Sequence, residues 1–378
     1  MKHTTIPEKI LTTLVSLFLI QLTHSSPPIT DGYVEIIHTF ENLPPLYASP
    51  EGITFDKKGK LYVSLRTYDG ASFIKNGLVS ISSTGKTTVI TDLGPALSRF
   101  PGALGLTTDT MGNVYIAFAS GNELHGVWKV SPDGKKEHLK GSENIETPNG
   151  ISFDPEGNLY VTDSSFGVQT PEDPGRVWRY GANGVFEIWA WSPLLAPDPI
   201  ADPLSPPPPA PPLPGPGANG IVYAPENKLY VANTEKCLIL EIPILSDGSA
   251  GETKVVAGAY PPQGPPGMLF APDGLAIDAK GHLYTVVPPS GFTGPEFPLS
   301  PLIKIDPQTG DLTAVLESLV APSRFFDFPT SLTFGVGNWD NQSVYVTGVT
   351  AKAFSTEGGS GPRVTRVKIE AEGYGGLD

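Results

Sequence analysis

The stretch Pro148–Asp163, PNGISFDPEGNLYVTD, returns in degraded form along most of the chain. PEGITFDKKGKLYVSL starts at Pro50, ALGLTTDTMGNVYIAF at Ala103, ANGIVYAPENKLYVAN at Ala218, PDGLAIDAKGHLYTVV at Pro272 and PTSLTFGVGNWDNQSVYVTG at Pro329. Each copy is a short apolar strand, a polar turn rich in Gly, Asp and Asn, and a second strand with an aromatic or β-branched core, the pattern of a β-hairpin. The copies start about 45 to 70 residues apart, and none can bury its own apolar face alone, so they predict an array closed on itself: an all-β, six-bladed β-propeller.

Around Pro148 the hairpin extends to four strands, GISFD, NLYVTD, RVWRY and VFEIWAW, which make one antiparallel blade. Third strands recur as LVSIS from Leu78, VWKVS from Val127, LILEI from Leu238, LIKID from Leu302 and RVTRVKI from Arg363. The last copy ends near Ile369 with no fourth strand after it. The alternating segment YVEIIHTF from Tyr33 is expected to supply that strand and close the ring, removing the edges an open sheet would expose. Connections from first to second and third to fourth strand are short turns. The others are long: Arg66 to Gly77, Asp163 to Gly175, Val287 to Pro301 and Ser192 to Gly217. Long loops therefore gather on one face, where the first strands begin around the central channel.

A length of 378 residues would otherwise suggest two or three domains, but the repeat makes residues 27–378 one domain. The Pro-rich tract at 192–217 is an insertion of extended, polyproline-like backbone, read either as a spacer between blades or as a stiff wall over the channel mouth. Residues 1–26 have the pattern of a secretory signal peptide, with Lys2 and Lys9 flanking the start and ILTTLVSLFLI from Ile10 as the apolar stretch. No later run is long and apolar enough to span a bilayer. The expectation is a secreted protein, or a periplasmic one in a bacterium, with no membrane association once the signal is removed. The sequon at Asn341 bears on glycosylation only in a eukaryotic source. A formal charge of -14 argues against nucleic-acid binding, which needs a basic face. Cys237 is the one cysteine, which excludes an internal disulfide; opening CLILEI, it reads as a small hydrophobe at the start of a strand.

One position in the repeat carries chemistry, the residue just before the Gly that opens the first strand, a Gly replaced by Ser331 in the last copy. It reads Glu51, Leu104, Asn149, Asn219, Asp273 and Thr330. At the inner end of the innermost strands these side chains surround the axis at one depth. Two carboxylates and two amide carbonyls suit a hard cation such as Ca²⁺, which takes about six to eight oxygens and leaves positions for water or substrate. Imidazole and thiolate ligands are absent from the set, which disfavours zinc and copper. The competing reading is that Asn and Asp before Gly are ordinary turn residues. A second recurring set, Asp56, Asp109, Asp154 and Asp278, falls in the short turns at the opposite end and reads as structural.

PEG, PNG, ANG and PDG at the starts of blades one, three, four and five resemble the SMP-30/gluconolactonase/LRE-like family of six-bladed propellers, over about Tyr33 to Ile369. The resemblance implies a divalent cation, usually Ca²⁺, surrounded by Glu51, Asn149, Asn219 and Asp273, with Asp273 also the proton carrier or nucleophile. In that family the position of Asn149 is sometimes a substrate contact instead. No counterpart is found for the arginine and second glutamate that hold sugar lactones, Arg66 and Arg99 being the candidates, so specificity for sugar lactones is not implied. Asp163 and Asn233, each ending a second strand near the same face, are further candidates for contact with substrate or ligands, with turn formation as the competing role.

Two functional classes remain open. The first is a calcium-dependent hydrolase of lactones or related esters acting on a small-molecule substrate, with gluconolactonase, arylesterase and phosphotriesterase activities as variants and other divalent cations as substitutes. The second is a non-catalytic propeller in which calcium rigidifies the channel and the long loops hold a ligand or protein. A condensing enzyme on the same scaffold is a third possibility, disfavoured by the complete metal set.

Overall fold

In the computed structural model the described residues are 34–41, 46–98, 100–165, 175–197, 216–259, 269, 271–287, 302–316, 328–349 and 361–375. The signal-peptide reading, most of the Pro-rich tract and Arg99 lie outside them. No helix among the described residues is long and apolar enough to cross a membrane.

The strands are β1 (Val34–Thr39), β2 (Tyr47–Phe55), β3 (Leu61–Tyr68), β4 (Phe73–Ile81), β5 (Thr87–Asp92), β6 (Gly102–Thr108), β7 (Val114–Ala119), β8 (Gly126–Val130) and β9 (Lys136–His138). They continue as β10 (Pro148–Phe153), β11 (Leu159–Asp163), β12 (Gly175–Tyr180), β13 (Phe186–Ser192), β14 (Ala218–Ala224), β15 (Lys228–Asn233), β16 (Leu238–Pro243) and β17 (Lys254–Ala257). The remainder are β18 (Leu275–Ile277), β19 (Leu283–Val286), β20 (Leu302–Ile305), β21 (Leu312–Ala314), β22 (Phe328–Phe334), β23 (Ser343–Val349) and β24 (Arg363–Lys368). They form six four-stranded antiparallel sheets. Blades one to five take consecutive strands from β2 to β21, and the sixth is ordered β22, β23, β24, β1. The N-terminal strand thus closes the ring, pairing Val34 with Val367 and Thr39 with Arg363.

Two features differ from the sequence reading. The connection from Arg66 to Gly77 is no long loop: β3 and β4 continue past the ring to pair Tyr68 with Phe73. Asp69 caps the tip by accepting from the backbone N–H groups of Ala71 and Ser72. Cys237 stands ahead of β16 in the left-handed region (φ 54), in the turn closed by its N–H to Thr234 O, so the strand begins at Leu238.

The core lies between blades. The aromatic of each second strand and its apolar neighbours meet the inward residues of the next blade. Blades one and two share Tyr62, Leu78, Leu106, Ile116 and Phe118, and blades five and six share Tyr284, Leu302, Leu332, Phe334 and Val344. Stacking each blade on the next lets the repeat bury faces that no blade could bury alone.

The recurring aspartates of the short turns do the structural work expected of them. Asp154 accepts from Asn158 N and Nδ2 and from the Tyr160 hydroxyl, at 2.8, 2.7 and 3.0 Å. Asp109 and Asp278 repeat this with Asn113 and Tyr115 and with His282 and Tyr284. One carboxylate thereby closes the turn and satisfies the hydroxyl of the core tyrosine above it.

The sixth and first blades are also joined by His38, buried on β1. Its Nδ1 lies 3.0 Å from Gly85 O and its Nε2 3.1 Å from Thr87 Oγ1. Burial holds this imidazole below its ordinary value of 6.5, with the Gly85 hydrogen bond pulling weakly the other way. The unfolded chain therefore takes up a proton near 6.5 that the folded chain refuses. The stabilisation is complete above that value and declines as pH falls below it. Thermal melting followed downward from pH 7.5 should show the loss, with a shallower slope in His38→Gln; equal slopes would remove His38 from the closure.

Candidate functional site

In five of the six blades the first strand enters the axis at a residue followed by Gly, Ser331 taking that place in the sixth, and the Gly is where blades touch most closely. A Cβ built on Gly52 would lie 2.4 Å from Leu104 O, on Gly105 2.4 Å from Asn149 O, on Gly150 2.2 Å from Asn219 O, and on Gly220 2.3 Å from Asp273 O. Gly274 donates its N–H to Thr330 O at 3.0 Å, and the Thr330 hydroxyl donates to Glu51 O at 3.2 Å. The chain 51, 104, 149, 219, 273, 330 and back to 51 thus closes on itself, through backbone contacts as far as Thr330 and through the Thr330 hydroxyl at the last step.

Three hydroxyls tie that ring together from the second strands. Ser64 Oγ accepts from Gly52 N and donates to Leu104 O, both at 2.7 Å. Thr162 Oγ1 accepts from Gly150 N at 2.8 Å and donates to Asn219 O at 2.7 Å. Thr347 Oγ1 donates to Glu51 O, fastening the sixth blade to the first. Each stands two residues after the aromatic of its second strand, a position that reads Ala117, Ala232 and Val286 where the clip is missing.

A further pair of hydroxyls orients the ring amides. Ser164 Oγ donates its one proton to Ala218 O at 2.7 Å, so it can only accept from Asn149, whose Nδ2 lies 2.9 Å away. Thr234 Oγ1 donates to Pro272 O at 2.8 Å and accepts from Asn219 Nδ2 at 2.9 Å. With the nitrogens engaged, Oδ1 of each amide is the atom left for a cation. Asn219 also hydrogen-bonds the Asp273 carboxyl.

The two carboxylates share the electrostatics of the centre. Burial raises the Glu51 carboxyl, and the charge of Arg66 opposes the shift. Asp273 is held well above the usual carboxylate range by burial and then by the nearby Glu51 charge, against Arg66 and the Asn219 hydrogen bond. Two buried carboxylates against one guanidinium leave an excess of negative charge that a divalent cation would neutralise. Among the described residues no three His, Cys, Asp or Glu cluster to hold a metal, so an ion at the ring would depend on the amide oxygens as much as on the acids.

The structure sorts the remaining candidates. Glu51, Asn219, Asp273 and Arg66 act on one another; Asn149 holds the equivalent ring position with the same hydroxyl clamp. Asp163 is fully buried and spent on the loop, accepting from the backbone N–H groups of Glu146, Thr147 and Ser165 and from Trp178 Nε1. Asn233 likewise donates to Leu194 O and Ala196 O and accepts from Lys236 N. Both fill the turn-forming role. Ser64, Thr162, Thr347, Ser164 and Thr234 were not singled out from the sequence, although a hydroxyl two or four residues past the strand aromatic was the available signal.

No family model matches the chain. Over 198 residues it is 27% identical to a gluconolactonase of Zymomonas mobilis, a match taking in 50% of this chain and 50% of that protein. Among solved structures it is similar to a luciferin-regenerating enzyme (TM-score 0.60, 17% identity, 93% of this chain and 99% of the other). It is also similar to a calcium-binding protein, regucalcin, from Agrobacterium tumefaciens (TM-score 0.56, 15% identity, 93% and 96%). At these identities the solved structures establish the fold alone. The curated and structural neighbours are those of the SMP-30/gluconolactonase/LRE-like family, as the blade motifs implied.

Proposed function

We propose that this chain is a divalent-cation-dependent hydrolase of lactones or related esters, exported by the leader read at residues 1–26, with calcium as the working ion. A lactonase-type hydrolase is the reading that the gluconolactonase similarity supports. The observation that carries the finer reading is the pair of hydroxyl clamps that leave Asn149 Oδ1 and Asn219 Oδ1 free at the ring shared with Glu51 and Asp273. Glu51, Asn149, Asn219 and Asp273 would hold the ion. When bound, the cation supplies Lewis-acid polarisation of the substrate carbonyl and charge stabilisation of the oxyanion. Asp273 takes the proton of the attacking water, or attacks the carbonyl itself and expels the ester oxygen to leave an acyl-enzyme that water then hydrolyses; burial and the Glu51 charge hold its carboxyl high, and the positive charge of Arg66 opposes them. Asn219 fixes the Asp273 carboxyl by its hydrogen bond, and Glu51 stays in place as the second carboxylate of the ring.

A panel of lactones, aryl esters and phosphotriesters, assayed with chelator and then with calcium restored, tests this reading. Turnover that chelator abolishes and calcium returns is the expected result. Binding without turnover across the panel would move the protein to the non-catalytic class.

A further inference from the structure

Arg66 occupies a position that the repeat explains. In blade one Ser49 pairs with Arg66, and Pro50, just before Glu51, pairs with Leu65. In blades three and four the corresponding pairs are Pro148 with Asp163 and Ala218 with Asn233. Arg66 therefore stands where Ser164 and Thr234 stand, the register whose side chain holds the ring residue of its own blade. In those blades a hydroxyl holds an amide; here the same register carries a guanidinium in a blade whose ring residue is a carboxylate.

Its geometry is fixed without a direct ion pair. Nη1 donates to Pro101 O at 2.9 Å, Nη2 donates to Ser49 Oγ at 2.9 Å, and the guanidinium carbon lies 4.5 Å from the centre of the Phe73 ring. The side chain is buried, and its Nε–H finds no partner among the described residues. All its hydrogen-bond acceptors are neutral, so its charge is left to act through space on Glu51 and Asp273, the two acids it reaches. In a buried setting such an interaction is much stronger than in water.

We infer that Arg66 is a built-in counter-cation of the ring: a fixed positive charge that holds the two carboxylates in place when no ion is bound and keeps the ring's affinity for a divalent cation low. The inference rests on the reading in which the ring holds an ion. The ring without Arg66 has two acids and no compensating charge, so it repels itself when empty and attracts a cation more strongly. With Arg66, an arriving ion meets a site whose negative charge is already half offset. A weak, readily exchanging site suits a protein working where calcium is abundant, since extracellular modules bind with Kd values of about 10⁻⁴–10⁻³ M.

The test titrates calcium alone, by calorimetry and by thermal melting with and without chelator, into wild type, Arg66→Lys, Arg66→Met and Arg66→Met with Glu51→Gln. Arg66→Met should bind calcium about tenfold or more tightly than wild type, whereas Arg66→Lys stays within about threefold of it. In chelator Arg66→Met should melt below wild type, and adding Glu51→Gln should recover part of the loss. Equal affinities together with equal melting in chelator would overturn the inference and leave the ion reading intact. Absence of calcium binding in every variant, with melting still recovered by Glu51→Gln, would remove the ion reading and leave Arg66 as the ring's own cation; absence of both would remove both. If Arg66→Met does not fold, the double variant decides: its folding supports the counter-charge, and its failure to fold assigns Arg66 to packing and overturns it.

Discussion

Asp273→Asn is expected to lower hydrolysis by about 10²–10⁴-fold, the usual worth of a positioned acid or base, while the protein in chelator melts no lower than wild type. The two halves of this result come from one fact. The Asp273 carboxyl is raised well above its ordinary value because burial and the Glu51 charge disfavour its ionised form. A carboxylate whose folded value is raised above its unfolded value favours the fold only at low pH. At neutral pH the fold bears a penalty for keeping it charged. Asparagine has nearly the same shape and no charge, so it removes the penalty and keeps the contact with Asn219. Asp278→Asn makes the opposite comparison on the same blade. That carboxylate accepts from Lys280 N, His282 N and the Tyr284 hydroxyl, so its loss should lower the melting temperature and leave turnover below that temperature intact. Activity and stability measured on both variants separate a reacting group from a structural one. Turnover that survives in Asp273→Asn would take the reacting role away from it.

Much of this was legible in the sequence because the propeller repeats its physics. A hairpin that must bury its face against a neighbour leaves the same apolar pattern six times, and PEG, PNG, ANG and PDG locate the inner strands without coordinates. The Asp154 and Asp278 turns followed from spacing alone, since the aspartate falls in the short turn of each copy. Other features depend on contacts between distant residues. Arg66 to Gly77 looked like a long connection; in the fold β3 and β4 run on through it, and the Asn76 side chain reaches out of the sheet to Phe73 O, Gly94 O and Ala103 N. Asp163 and Asn233, which end strands on the face of the ring, left two roles open in the sequence, contact with substrate or ligands and turn formation. Only the partners of their oxygens and nitrogens, which come from the adjoining loops, show that they hold turns. The clamps at Ser164 and Thr234 were missed for the same reason. A serine or threonine after a strand is unremarkable until its proton is seen to be committed to the next blade.

Gly150→Ala should be among the most destabilising single-methyl additions in the chain, by about 3 kcal/mol or more, because the added carbon meets backbone with no side chain to give way. The new Cβ would lie 2.2 Å from Asn219 O, 3.0 Å from Ile221 N and 3.1 Å from Asn219 C. The penalty is one of space, since Gly150 is not among the positive-φ glycines. Gly157→Ala is the control: nothing lies within 4 Å of its Cβ, but its φ of +85° gives it only the backbone cost of a left-handed residue, about 1–2 kcal/mol. The difference between the two melting temperatures therefore measures the closeness of blades three and four at the axis. The same substitution reaches the candidate site. Relief of the overlap moves Asn219 outward, which strains the Thr162 clip on Asn219 O and the Thr234 clamp on Asn219 Nδ2 together. Calcium affinity should fall along with stability in Gly150→Ala and stay at the wild-type value in Gly157→Ala. A Gly150→Ala protein that melts with Gly157→Ala would mean that the blades do not meet at this register, and Asn149 and Asn219, carried on those strands, would then have no common centre with Glu51 and Asp273.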